Sequence, residues 1–323
     1  MYNVNRGRLK YGNILTKNGK SYTYDATWKD LLKQVGTGNN STIEYDAQGN
    51  PTKYFGNTLT WEKGRQLKTY GSNTYAYNND GIRIRKQTGT EIHEYVLDGT
   101  NIVKEVVTDA ACCPKYTNEY LYDIDGTVCG LKYNGTAYYF YKNLQGDVIS
   151  IADDTGAVKA TYTYDAWGVC TVESDTSGCN IATINPFRYR SYYYDVETEL
   201  YYLQSRYYDS VTGRFLNADS QINDTLLGTN LFAYCENNPV MFSDHDGNAR
   251  ELAYRDKNGV RHYLDEFEEP VMPIKGAKFK ANDYQNYPDG TFHGGTDIGA
   301  PKGTPIYATF SGTLVKVKSD VPP

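Results

Sequence analysis

Long apolar runs are missing from this sequence: no stretch approaches the ~20 residues of a membrane helix, so no helical membrane span is expected. Blocks of like charge are missing too. The 33 Lys and Arg and 39 Asp and Glu leave a net charge of −6, with no run of five or six like charges. That argues against a nucleic-acid-binding tail or a polybasic membrane anchor, and no nucleic acid is expected as a partner. The start, MYNVNRGRLKYGNIL, lacks the apolar core of a secretory signal; work outside the cell would need a signal further upstream or a dedicated export machine. The six cysteines, Cys112, Cys113, Cys129, Cys170, Cys179 and Cys235, include no C-x-x-C pair and no Cys/His cluster, which argues against a zinc ribbon. Cys170 and Cys179 flank TVESDTSG and could close that loop or remain protected thiols.

What the chain has in excess is tyrosine, 33 against 10 Phe and 3 Met, together with 30 Gly in turn-like contexts. Tyrosine suits a pleated, half-buried surface: its ring packs while its hydroxyl finds water or a backbone partner. An all-β fold is expected. The 323 residues allow two to three domains, at about 150 residues each.

Internal repeats carry the strongest signal. YDAQGN at Tyr45–Asn50 recurs as YNNDG at Tyr77–Gly81, VLDG at Val96–Gly99, YDIDG at Tyr122–Gly126, ADDTG at Ala152–Gly156 and YDAWG at Tyr164–Gly168. Asp or Asn can cap a turn through its side chain, and Gly supplies the positive φ of a tight reversal. TYTYDAWG and EYLYDIDG set tyrosines two apart, on one sheet face. The pattern predicts antiparallel hairpins stacked into a curling strip or shell. TWKDLLKQVG, residues 27–36, is the main stretch with helical periodicity.

These repeats resemble the YD repeats of RHS proteins, whose repeats wind into a hollow β-shell around a C-terminal toxin. The stretch FRYRSYYYDVETELYYLQSRYYDSVTGRFLNADS, residues 187–220, is similar to the RHS-associated core, and NLFAYCENNPVMFSDHDG, residues 230–247, is similar to its closing element. Departures are Ser191 and Glu199 where the family has Gly, and Ser210, Ser220 and His245 where it has Pro. The resemblance divides the chain into repeats (1–186), associated core (187–248), a linker (249–269) and a further domain (270–323). In several RHS proteins the core cuts its own chain with carboxylates and an arginine. The resemblance assigns those roles to Asp219, Asp244 and Arg214, with cleavage near Gly247 to Ala249. Close carboxylates suit the task, because one retains a proton as acid while the other serves as base.

From Pro270 on the chain, through its run HGGTDIGAPKGTPIYATFSGTLVKV at residues 293–317, resembles the opening of LytM/M23 metallopeptidases, which cut peptide cross-bridges of bacterial cell walls. By that resemblance His293 and Asp297 are two ligands of a catalytic Zn2+, which takes three protein ligands and one water. The family's H-x-H part has no counterpart: the other histidines are His93, His245 and His262. The peptidase domain is therefore expected to be an inactive fragment cut in mid-domain, with zinc held weakly. Two functions compete. One is a piece of a polymorphic toxin or wall-associated protein, secreted or at the cell surface, carrying a murein endopeptidase toward peptidoglycan or a target cell and opposed by an immunity protein. The other is a surface or carbohydrate-binding module without catalysis.

Overall fold

The computed structural model describes residues 12–38, 40–219, 230–240 and 242–248, and beyond them the strands Glu251–Leu252, Tyr254–Arg255, Arg261–His262, Lys278–Phe279 and Ile298–Gly299 as backbone. The chain forms two compact units, 1–254 and 255–323. In the second, Lys278–Phe279 pairs antiparallel with Ile298–Gly299.

The first unit is built on an antiparallel sheet of fourteen strands in strict chain order, from Ile43–Tyr45 to Cys170–Asp175. A three-stranded sheet, Thr16–Lys17, Lys20–Tyr24 and Leu32–Val35, precedes it and joins it through a bridge between Gln34 and Thr42.

The repeat explains this regularity residue by residue. At Asp46, Asn78, Asp109, Asp123, Asn143, Asp153 and Asp165 a side-chain oxygen accepts from the backbone N–H two and four residues on, at 2.8–3.1 Å. The residue three positions after each cap takes a positive φ, as Gly168 does at 93°. At the Asp109 turn that position is Cys112, with φ 65° and a side chain to accommodate. The VLDG segment differs: Asp98 pairs with Asn101 across a two-residue turn.

Where a tyrosine precedes the turn's Asp or Asn, it has its own task. The hydroxyls of Tyr24, Tyr45, Tyr77, Tyr122 and Tyr164 donate to the carbonyls of Ile14, Leu32, Leu67, Ile102 and Val148 at 2.6–3.0 Å. The tyrosine two residues earlier turns inward, as Tyr75, Tyr120 and Tyr162 do. One residue of the pair packs; the other ties its strand to the preceding one.

The helical expectation at residues 27–36 is corrected. Asp25 caps a turn by accepting from Thr27 and Trp28 N–H, and Leu32–Val35 pairs as a strand with Lys20–Tyr24. Pairing along a neighbouring strand wins over a helix too short to be stable alone. The α-helix among the described residues is the four-residue Ile181–Ile184. Cys170 and Cys179 are thiols, not a disulfide.

Four strands of the associated core, Tyr193–Asp195, Leu200–Leu203, Arg206–Asp209 and Arg214–Phe215, form a separate sheet. The middle two are buried at every residue. Both faces are therefore covered, as in a plug rather than a surface sheet. Burial on this scale with charges present needs matched partners. Asp195 holds Arg83 bidentately at 2.6 and 3.0 Å and Lys86 at 3.0 Å. The Arg83 guanidinium lies 4.3–5.8 Å from the ring centres of Tyr75, Tyr95, Tyr193, Tyr202 and Tyr207. Nearby, Glu105 takes His93 Nδ1 and the Tyr193 hydroxyl, both at 2.7 Å, and the Tyr120 hydroxyl. These contacts fasten the plug to the sheet.

Candidate active site

The strand Arg206–Asp209 is a buried run in which Arg206 has no oppositely charged neighbour in sequence until Asp209, whose carboxylate is committed elsewhere. Asp209 accepts from Tyr54 at 2.6 Å and caps the following turn through Val211 and Thr212 N–H. Arg206 therefore finds partners brought by other segments. Its Nη2 lies 2.8 Å from Asp219 and 3.4 Å from Asp244, its Nη1 donates to Leu231 O at 3.2 Å, and its Nε donates to Gly247 O.

The closing segment folds back onto this arginine. Asp244 Oδ1 accepts from Gly247 N–H at 2.8 Å, and the Asp246 carbonyl accepts from the Ser205 hydroxyl at 2.6 Å. Gly247 has φ 75°, and a Cβ there would stand 2.6 Å from Leu203 O and 2.7 Å from Ser205 Oγ. No side chain fits. Only glycine lets the backbone approach Arg206 this closely.

Burial first, then the charge of Asp246, raises the pKa of Asp244 to about 8, against the opposing pull of Arg206 and Gly247 N–H. At neutral pH it therefore holds a proton. Burial lowers the pKa of Arg206, opposed by Asp244 and Asp219. Asp219 is the more open carboxylate, its side chain 12% exposed against 3% for Asp244.

Of the residues suggested by sequence, Asp219 and Asp244 thus meet at one guanidinium. Arg214 is engaged differently: it donates to Asp30 O at 2.8 Å and Asn230 Oδ1 at 3.2 Å, and its guanidinium lies 5.3 Å from the Tyr24 ring centre. It joins the first hairpin to the plug. The arginine that sequence reasoning passed over is Arg206, and its signal was a lone cation in a strand otherwise fit for a core. His293 and Asp297 lie outside the described residues, as does Ala249. Among the described residues no group of three or more His, Cys, Asp or Glu is placed to hold a metal.

A family model, Teneurin YD-shell, matches residues 114–257, from the strand Pro114–Tyr122 through the plug and its closing segment. That stretch is a YD-shell segment. The chain is 36% identical over 240 residues to the tRNA3(Ser)-specific nuclease WapA of Bacillus spizizenii, a match covering 72% of this chain and 10% of that protein. It is 25% identical over 273 residues to the double-stranded DNA deaminase toxin A of Burkholderia cenocepacia, covering 77% and 18%. In the crystal structure of TcdB2-TccC3 the YD-shell fold recurs with a TM-score of 0.53 at 20% identity, over 71% of this chain and 13% of that one. The chain spans about a tenth of the length of the WapA relatives it matches.

Proposed function

We propose that this YD-shell segment belongs to a polymorphic toxin, secreted or at the cell surface, and that its plug severs the chain at Gly247–Asn248 to free the C-terminal segment. The observation that carries the reading is the meeting of Asp219, Asp244 and the Gly247 carbonyl on Arg206. Each group suits a role. The Asp219 carboxylate takes a proton from water, whose oxygen bonds to the Gly247 carbon. Arg206 holds the carbonyl oxygen as it gains charge. Asp244 gives its proton to Asn248 N as the C–N bond breaks, leaving a Gly247 carboxylate and an Asn248 amine.

The named relatives support the carrier role more than any one effector. One is named for tRNA and the other for double-stranded DNA, yet each matches most of this chain. Those substrates belong to those proteins.

For the segment 270–323 we retain the M23-like peptidase as the effector, acting on peptidoglycan peptides and checked by an immunity protein. His293 and Asp297 are its first two zinc ligands. Two donors fall short of the three that a catalytic zinc takes, so hydrolysis is assigned to this chain at no step.

Intact-mass measurement of the purified 323-residue chain tests self-processing. A pair of fragments meeting at Gly247–Asn248, absent in Asp244→Asn, is the expected result. A chain that stays whole for days under native conditions overturns it.

A further inference from the structure

Asn217 is fully buried at 0% exposure, yet neither its Oδ1 nor its Nδ2 has a partner among the described residues. A buried amide left this way opposes folding, and where a sequence keeps one, a use beyond stability is indicated. Its position specifies the use. Arg206 lies 3.5 Å from the centre of the Phe215 ring and 2.8 Å from Asp219, so the residues two before and two after Asn217 both press on the guanidinium at the site. The flanking backbone is held: Leu216 N–H donates to Tyr207 O at 2.9 Å and Asp219 N–H to Leu231 O at 2.8 Å, while Arg65 donates to Ala218 O. The amide cannot swing out to solvent without breaking these bonds.

We propose that Asn217 is a positioning residue for the self-processing described above, on which this inference rests: its Oδ1 accepts one hydrogen of the attacking water. Asp219 takes the other hydrogen, which leaves a water lone pair directed at the Gly247 carbon. The new C–O bond forms, the proton on Asp244 passes to Asn248 N, and the C–N bond breaks. Asn217 exchanges no proton. It fixes an orientation that Asp219 alone leaves free to rotate, and loss of such alignment slows reactions by about 100-fold.

The test tracks cleavage of the full chain after a pulse of cell-free synthesis, together with its melting temperature. Asn217→Leu keeps the branching at Cγ and removes the stranded amide. It should cut about 100-fold more slowly, by the same factor at every pH, while melting at or above the wild-type temperature. A merely structural asparagine would leave the rate unchanged, and an unchanged rate overturns the inference. If N217L melts lower through strain, Asn217→Ala, which adds no bulk, decides on the rate alone: wild-type speed refutes the role. Asp244→Asn separates the two readings. If wild type cuts, D244N does not and N217L cuts at full speed, only the role of Asn217 falls. If wild type never cuts, both fall.

Discussion

The attachment of plug to sheet can be measured at one ion pair. Arg83 and Asp195 both have fully buried side chains, joined by two hydrogen bonds of 2.6 and 3.0 Å. Arg83→Met keeps the bulk among the tyrosine rings but leaves the Asp195 carboxylate with Lys86 as its remaining cation, at 3.0 Å. Removing one partner of a buried pair costs about 3–5 kcal/mol, and the total stability of a domain is only about 5–15 kcal/mol. Asp195→Asn alone strands the buried Arg83, while Lys86 keeps Glu197 at 3.1 Å, and should cost a similar amount. In R83M/D195N the mismatch shrinks, so the double variant should be more stable than the sum of single losses implies, by about 2 kcal/mol or more. Urea unfolding monitored by circular dichroism near 218 nm reads all four corners of the cycle. If the two losses simply add, the pair is not coupled and the account of the plug's attachment is wrong.

The same structure sets three further outcomes. The pKa of Asp244 is raised to about 8, so the folded state binds a proton that the unfolded state has released. Stability should therefore decline as pH rises from about 4 to about 8, and D244N should flatten that decline; an unchanged slope refutes it. Self-cleavage, which needs the protonated form, should fade above about pH 8, and a rate still climbing there speaks against Asp244 as the acid. Tyr164→Phe removes the 2.6 Å bond to Val148 O but keeps the ring, and should lower stability by about 1 kcal/mol in urea unfolding. Cys112→Gly relieves a side chain held at φ 65°, and despite glycine's greater freedom when unfolded should raise stability by about 1 kcal/mol; a lowered urea midpoint sinks that argument.

Much of the fold was readable because the repeat writes its physics locally. Asp165 caps through atoms two and four residues away, and Gly168 supplies the backbone twist between them. A window of five residues contains the whole cause. The stretch 27–36 misled for the opposite reason: its leucines keep a helical period, but their state is decided by Lys20–Tyr24, the strand they pair with. The candidate site was half legible. Asp219 and Asp244 stand out through the segments that hold them, whereas the partners of Arg206, Gly247 O and Leu231 O, are brought alongside only by the plug's turns. Asn217 gave no signal in sequence, since what marks it is the absence of bonds after folding.

The tyrosine hydroxyls in the repeats share a direction in time. From Tyr24, Tyr45, Tyr77, Tyr122 and Tyr164 each reaches a carbonyl 10, 13, 10, 20 or 16 residues earlier in the chain. During synthesis that carbonyl has already left the ribosome when its tyrosine emerges, so each of these five tyrosines can be fastened to a segment already made. The plug is different: Lys17 waits for Ser210, 193 residues later, and Tyr54 for Asp209, 155 residues later. The wall is thus laid course by course, while the groups around Arg206 meet only once it stands. Any scission there is postponed until the sheet that holds the plug is in place.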